Sequence, residues 1–190
     1  MNGKEKPSVD ILTGSDAEQA LTPDDARRLV RALVSHTVRP EHDQEGAAEW
    51  VLRENLPKIV REGGLIVAKV GDVVAGMIGH TLLTEKDGRP VYVLEHLIVD
   101  PAFERQGIMK MLLEGTAEVI RAVAPDAFLY AGTRNPTVGR ANERLGMKLV
   151  TPEQVCTWRK DIEDPERFIA RSKQEDDGWK IYFGPLPSVP

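Results

Sequence analysis

One stretch of this chain combines residue types and spacing that can do chemistry. An apolar strand ends at Leu97-Ile98-Val99, a short polar loop follows over Asp100-Pro101-Ala102-Phe103-Glu104-Arg105-Gln106, and a glycine opens an apolar helix, Gly107-Ile108-Met109-Lys110-Met111-Leu112-Leu113. The first N–H groups of a helix have no internal partner and point outward with the positive end of its dipole. A phosphate can dock there if side chains leave the backbone open. Gly107 supplies that opening, and Arg105 and Lys110 add positive charge. A plain strand-to-helix turn has the same outline, so the segment by itself leaves both readings open. Upstream, Glu95 interrupts an otherwise apolar strand and His96 follows it. The single cysteine, Cys156, excludes an internal disulfide framework and a multi-cysteine zinc site. With no histidine near it in sequence, it reads as a small strand residue rather than a nucleophile.

The elements that must position these residues follow from periodicity and punctuation. Residues 1–20 read as a loose lead-in, with Val9, Ile11 and Leu12 able to make a short first strand. Thr22-Pro23-Asp24-Asp25 starts a helix: a hydroxyl N-cap, proline in the first turn, then carboxylates at the positive dipole end. Leu29, Val30, Leu33 and Val34 recur at helical spacing. A second helix has Trp50, Val51, Leu52, Leu56, Ile59 and Val60 on its apolar face; Pro57 must kink or split it, and Gly63-Gly64 ends it. Strands are expected at 65–70, 73–83 and 91–99. Gly76 and Gly79 mark a bulge or a close approach of another backbone. A helix over 107–123, a strand over 128–131, a helix over 137–145 and strands at 147–150 and 155–158 complete the core. His80 reads as a surface or hairpin residue, and Trp50 and Trp158 as core. The order implies a mixed α/β sheet with helices on its faces, and only 93–131 has the form of a parallel crossover.

The net charge of −5 argues against a non-specific nucleic-acid binder. No apolar run approaches the roughly 20 residues of a membrane span, and Met1 to Pro7 lacks the apolar stretch of a signal peptide, so the expected location is cytoplasmic.

The segment Glu104-Arg105-Gln106-Gly107-Ile108-Met109 resembles the cofactor motif of the GNAT superfamily, the Gcn5-related N-acetyltransferases. In that family a strand ending like Val-Asp-Pro is followed by Arg/Gln-x-x-Gly-x-Gly/Ala and an apolar helix. A second signature is similar as well: Asn135, then Ala141-Asn142-Glu143-Arg144-Leu145-Gly146-Met147, a helix closing in a Leu-Gly-Phe-like turn. The resemblance covers roughly residues 22–160. It implies a mostly antiparallel central sheet with one parallel crossover and helices on both faces. With 1–20 as a lead-in or first strand, the resemblance implies an acetyltransferase domain at 21–160, and the extension at 161–190 lies outside it. The aromatic run Trp179 to Phe183 must then bury as an edge strand, over the substrate mouth or on a second subunit of a homodimer.

By the same resemblance the cofactor is acetyl-CoA. The backbone N–H groups of Arg105, Gln106, Gly107, Ile108, Met109 and Lys110 face its pyrophosphate. Leu97, Ile98 and Val99 form the strand end along which the pantetheine arm runs. Asn135 reaches the pantetheine or the substrate side, or acts only as a turn former before Pro136. Glu104 stands where Arg or Gln is usual, and Met109 where Gly or Ala is usual. Acetyl transfer needs a neutral amine, so the site needs a route for its proton. Glu95 is the candidate base and His96 the alternative. Side chains alternate along a strand, so both face the cleft only if a bulge lies between them. Asn142 replaces the tyrosine with which the family often protonates the departing thiolate; it can donate a hydrogen bond but not a proton. The expected activity is direct N-acetyl transfer to a primary amine, on a small molecule or a protein. A non-catalytic acyl-CoA-binding module is the alternative.

Overall fold

A computed structural model describes residues 8–38, 42–174 and 179–187. The strands are β1 (Val9–Thr13), β2 (Leu65–Val70), β3 (Val73–Lys86), β4 (Arg89–Val99), β5 (Phe128–Thr133), β6 (Lys148–Val150) and β7 (Lys180–Pro185). The helices are α1 (Gly14–Ala20), α2 (Pro23–Thr37), α3 (Gln44–Trp50), α4 (Leu56–Arg61), α5 (Ile108–Val123), α6 (Pro136–Arg144), α7 (Pro152–Cys156) and α8 (Pro165–Gln174). The strands are hydrogen-bonded in the order β1-β2-β3-β4-β5-β7-β6. The β4–β5 pair is parallel, as the expected mixed α/β fold requires. The chain divides into two compact units, Met1–Gly79 with His96–Thr116, and His80–Glu95 with Ala117–Pro190.

In the first unit β1 and β3 flank β2, both antiparallel to it. The register slips between Ala68 and Lys69, so Gly76 faces Ala68, Val74 faces Lys69, and Ala75 is the extra residue of a bulge. The Ala75 carbonyl accepts the Asp100 N–H at 2.8 Å instead. Gly76 is the close approach anticipated from sequence: a Cβ there would lie 2.7 Å from the Ile98 carbonyl oxygen. Leu29, Val30, Ile59, Leu65 and Val67 are fully or almost fully buried in this unit's core.

Thr22 caps α2 by accepting the Asp25 N–H, with Pro23 in the first turn, as the sequence dictates. Pro57 splits the second helical segment in a particular way. Lacking an N–H and crowding the preceding turn, it ends regular α-geometry, and Val51–Asn55 widens into a π turn between α3 and α4. This also corrects the expectation for Trp50, which is 55% exposed. The buried seam runs through Ala48, Val51, Leu56 and Ile59, and Trp50 sits about 200° around the helix from Ala48.

In the second unit β5 pairs with β4 on one side and β7 on the other, and β6 lies beyond β7. The aromatic run therefore forms an interior strand, not an edge one. Ile181 and Tyr182 are buried, and Gly132 leaves room for the Trp179 ring, where a Cβ would come within 2.2 Å. Residues 155–158 are not a strand. Thr151 and Gln154 make a reciprocal capping box around Pro152, which starts α7, and half-buried Cys156 ends that helix. Trp158 does pack in this core, its ring 5.9 Å from Tyr130 and 4.7 Å from Phe183. His80 is buried on β3, 7% exposed, with its ring 5.9 Å from Tyr92, and is not a surface residue. Among the described residues no helix is long and apolar enough to cross a membrane.

Candidate functional site

The loop after β4 is shaped by local chemistry. Asp100 accepts the Ala102 N–H at 2.8 Å and starts a single 3-10 turn over Pro101–Phe103. The backbone then turns left-handed at Arg105 (φ 61°) and again at Gly107 (φ 84°). Glu104, Arg105, Gln106 and Gly107 are exposed, and α5 begins at once, the Gly107 carbonyl accepting the Met111 N–H at 3.2 Å. A Cβ at Gly107 would meet nothing within 4 Å, so the space before these amides is open. Buried Ile108 and Leu112 anchor the first turn of the helix. Met109 is half-buried, and Lys110 is exposed with its ammonium 3.5 Å from Glu114. An open glycine turn with unpaired helix amides suits a diphosphate.

The loop is tied down from α2. Arg28 donates to the Val74 carbonyl at 2.8 Å and to Asp25 at 2.7 Å, and it pairs with Asp100. No sequence signal announces this link, because its partners lie 46 and 72 positions away.

At the end of β4, Leu97 and Val99 are half-buried and Ile98 is 9% exposed. His96 has φ +53°, which is rare for a residue with a β-carbon. Holding it there costs about 1–3 kcal/mol, and such strain gathers at functional sites. The simple alternation assumed for Glu95 and His96 is therefore broken at this residue. His96 is half-buried and its Nε2 lies 2.5 Å from Asn55 Oδ1. Burial pushes the imidazole pKa down to about 4. Asn55, the last residue of the π turn, was not singled out from sequence. Its only signal is its place two residues before a proline inside a helical pattern.

In the second unit Glu95 is half-buried, and the Thr81 hydroxyl donates to its Oε2 at 3.2 Å. Asn135 serves as the N-cap of α6: its Oδ1 accepts the Thr137 N–H at 2.9 Å and its own N–H donates to Thr133 at 3.0 Å. The turn-forming role foreseen for it is thus present. Asn142 is 1% exposed, and its side-chain amide nitrogen has no hydrogen-bond partner among the described residues. A buried, orphaned donor is costly unless a ligand satisfies it. Tyr130 packs in the core, its hydroxyl pKa raised by burial.

Comparison with known proteins gives a consistent result. The sequence profile of the Acetyltransferase (GNAT) family matches residues 26–146. A mycothiol acetyltransferase from Propionibacterium freudenreichii is 32% identical over 162 residues, which are 81% of this chain and 50% of that protein. The chain thus spans about half the length of this curated relative. Among solved structures, N-acetylglutamate synthase from Neisseria gonorrhoeae, complexed with coenzyme A and N-acetyl-glutamate, superposes with a TM-score of 0.61 at 16% identity, covering 96% of this chain and 36% of that one. YncA from Salmonella typhimurium, solved with its cofactor acetyl-CoA, superposes with a TM-score of 0.56 at 15% identity, covering 96% of each chain.

Proposed function

The chain belongs to the GNAT family of acetyltransferases, which use acetyl-CoA, and from that premise we propose that it transfers an acetyl group directly to a primary amine. The observation that carries this reading is the open left-handed turn at Arg105–Gly107 leading into α5, beside a strand end distorted at His96. When bound, acetyl-CoA supplies the acetyl group as an activated thioester. The amides from Arg105 to Lys110 hold its diphosphate, with the charges of Arg105 and Lys110 nearby. The backbone of Leu97, Ile98 and Val99 aligns the pantetheine arm. Asn142 can donate a hydrogen bond but supplies no proton, so the departing thiolate takes its proton from solvent.

The amine must lose its proton for transfer to occur. Glu95 accepts it, and the Thr81 hydroxyl holds one carboxylate oxygen so that the group keeps its direction. The neighbouring His96, with a pKa of about 4, is a neutral imidazole at pH 7 and a much weaker base than an ordinary histidine. It is therefore suited to accept a hydrogen bond rather than to store the proton. Orientation of the amine and thioester supplies much of the rate. The relative's name does not carry an acceptor over, because the chain matches only half of it.

The test is release of coenzyme A thiol from acetyl-CoA across a panel of primary amines. Amine-dependent release that falls sharply in Glu95→Gln supports the proposal. Coenzyme A binding with no release on any amine sinks it and favours a cofactor-binding module, a reading that Asn142 in place of an acid also supports.

A further inference from the structure

The π turn between α3 and α4 puts Val51 into the core, and its last residue reaches the one strained residue of β4. Pro57 forces the widening: the Leu56 N–H bonds back to the Val51 carbonyl, five residues earlier, and Asn55 closes that turn. Asn55 Oδ1 sits 2.5 Å from His96 Nε2. A carboxamide oxygen can only accept, so this contact requires the proton on Nε2. Nδ1 of the same ring takes no hydrogen bond from the described residues. Burial alone accounts for the low pKa of His96, with no charged neighbour contributing, so the ring is neutral at pH 7 and has one lone pair to offer.

We propose that Asn55 is a positioning residue that fixes His96 in its Nε2–H tautomer and thereby presents Nδ1 as a hydrogen-bond acceptor for the N–H of the incoming amine. The inference rests on the reading of the β4 end as the place where amine and thioester meet. The left-handed backbone at His96 turns the ring out of the strand's regular alternation, and Asn55 fixes its orientation. An amine whose N–H is held at Nδ1 has its lone pair oriented for attack. No new atom is consumed: Asn55 and His96 exchange no proton with the substrate. The device selects acceptors with at least one N–H to spare beyond the proton removed, which primary amines have.

The experiment is nitrogen-15 NMR of the full chain at pH 7 without ligand. With four histidines, His96 is assigned from the spectrum lost in His96→Gln. A protonated Nε2 and an unprotonated Nδ1 are expected. The Nδ1–H tautomer, or a doubly protonated ring, overturns the proposal whatever the activity. Asn55→Leu should release the tautomer into a mixture and lower kcat about tenfold while KM for acetyl-CoA stays unchanged. Asn55→Gln, which keeps a neutral carboxamide oxygen, should restore the Nε2–H form and part of kcat. If Asn55→Leu keeps the wild-type tautomer, Asn55 does not set it and the proposal fails. If Asn55→Leu does not fold, the wild-type and Asn55→Gln spectra decide alone. A wild-type protein with the expected tautomer but no acetyl transfer to any amine overturns the acetyltransferase reading and this use of Nδ1 with it. The wrong tautomer in an active enzyme overturns this inference only.

Discussion

Gly107→Ala separates what the glycine does for the fold from what it does for the cofactor. At φ +84° an L-residue is strained by about 1–2 kcal/mol. The added Cβ would meet nothing within 4 Å, so no clash enlarges that figure. For a chain of this size each kcal/mol lowers Tm by about 2–4 °C, a modest and measurable change. Binding should suffer more. The methyl group stands in the open space before the amides of the turn, where the diphosphate must approach. Loss of one charge-assisted hydrogen bond is worth about 1.5–3 kcal/mol, or about 10- to 100-fold in Kd. Calorimetry with coenzyme A on wild type and Gly107→Ala measures this directly. Pantetheine, which lacks the diphosphate, serves as the control and should lose little. If the Kd for coenzyme A changes by less than twofold while Tm falls as expected, the turn does not hold the diphosphate. The reasoning also fails if pantetheine weakens as much as coenzyme A.

Other perturbations test other parts of the site. Glu95→Gln should lower kcat about 10²- to 10⁴-fold and leave the calorimetric Kd for acetyl-CoA unchanged; an unaltered kcat would remove Glu95 from proton transfer. The pH dependence of stability reads out His96. Its pKa is about 4 when folded against 6.5 for the free side chain, so between those values the unfolded chain binds a proton that the folded one refuses. Stability should fall as pH drops from 6.5 to 4, by up to about 3 kcal/mol, and urea titrations should show a shallower fall in His96→Gln. Equal slopes in the two proteins would contradict a buried neutral imidazole. Gly76→Ala drives a Cβ to 2.7 Å from the Ile98 carbonyl, a backbone atom that cannot swing away, and should cost about 1–3 kcal/mol. It should also weaken acetyl-CoA binding through the shifted strand end. Arg28→Ala frees Asp100 and the Val74 carbonyl, and because the pair is partly exposed the expected loss is only about 1 kcal/mol, with a several-fold higher KM for acetyl-CoA and an unchanged KM for the amine.

Local rules carry a large part of this protein. Thr22-Pro23-Asp24-Asp25 starts a helix wherever it occurs, because the hydroxyl, the missing N–H and the carboxylates all act within one turn. The identical logic at Thr151-Pro152 produced α7 where a strand was expected, and there the cap outweighed the apolar residues Val155 and Trp158. The open turn at Gly107 was legible for the same reason: a glycine and a helix start are adjacent in sequence. The mixed sheet with one parallel pair followed from the order of strands and helices.

What tertiary structure decided are the matters settled between distant residues. Trp50 faces outward because the core packs against the helix face that carries Ala48, Val51, Leu56 and Ile59, and Trp50 lies off that face. The aromatic run became an interior strand because β5 and β6 both left an edge for it, which no local pattern encodes. Glu95 and His96 are neighbours in sequence, yet their partners, Thr81 and Asn55, lie 14 and 41 positions away. A residue's type states which bonds it can make. Only folding chooses the partner, and at this strand it gives Glu95 the Thr81 hydroxyl and His96 the Asn55 carboxamide.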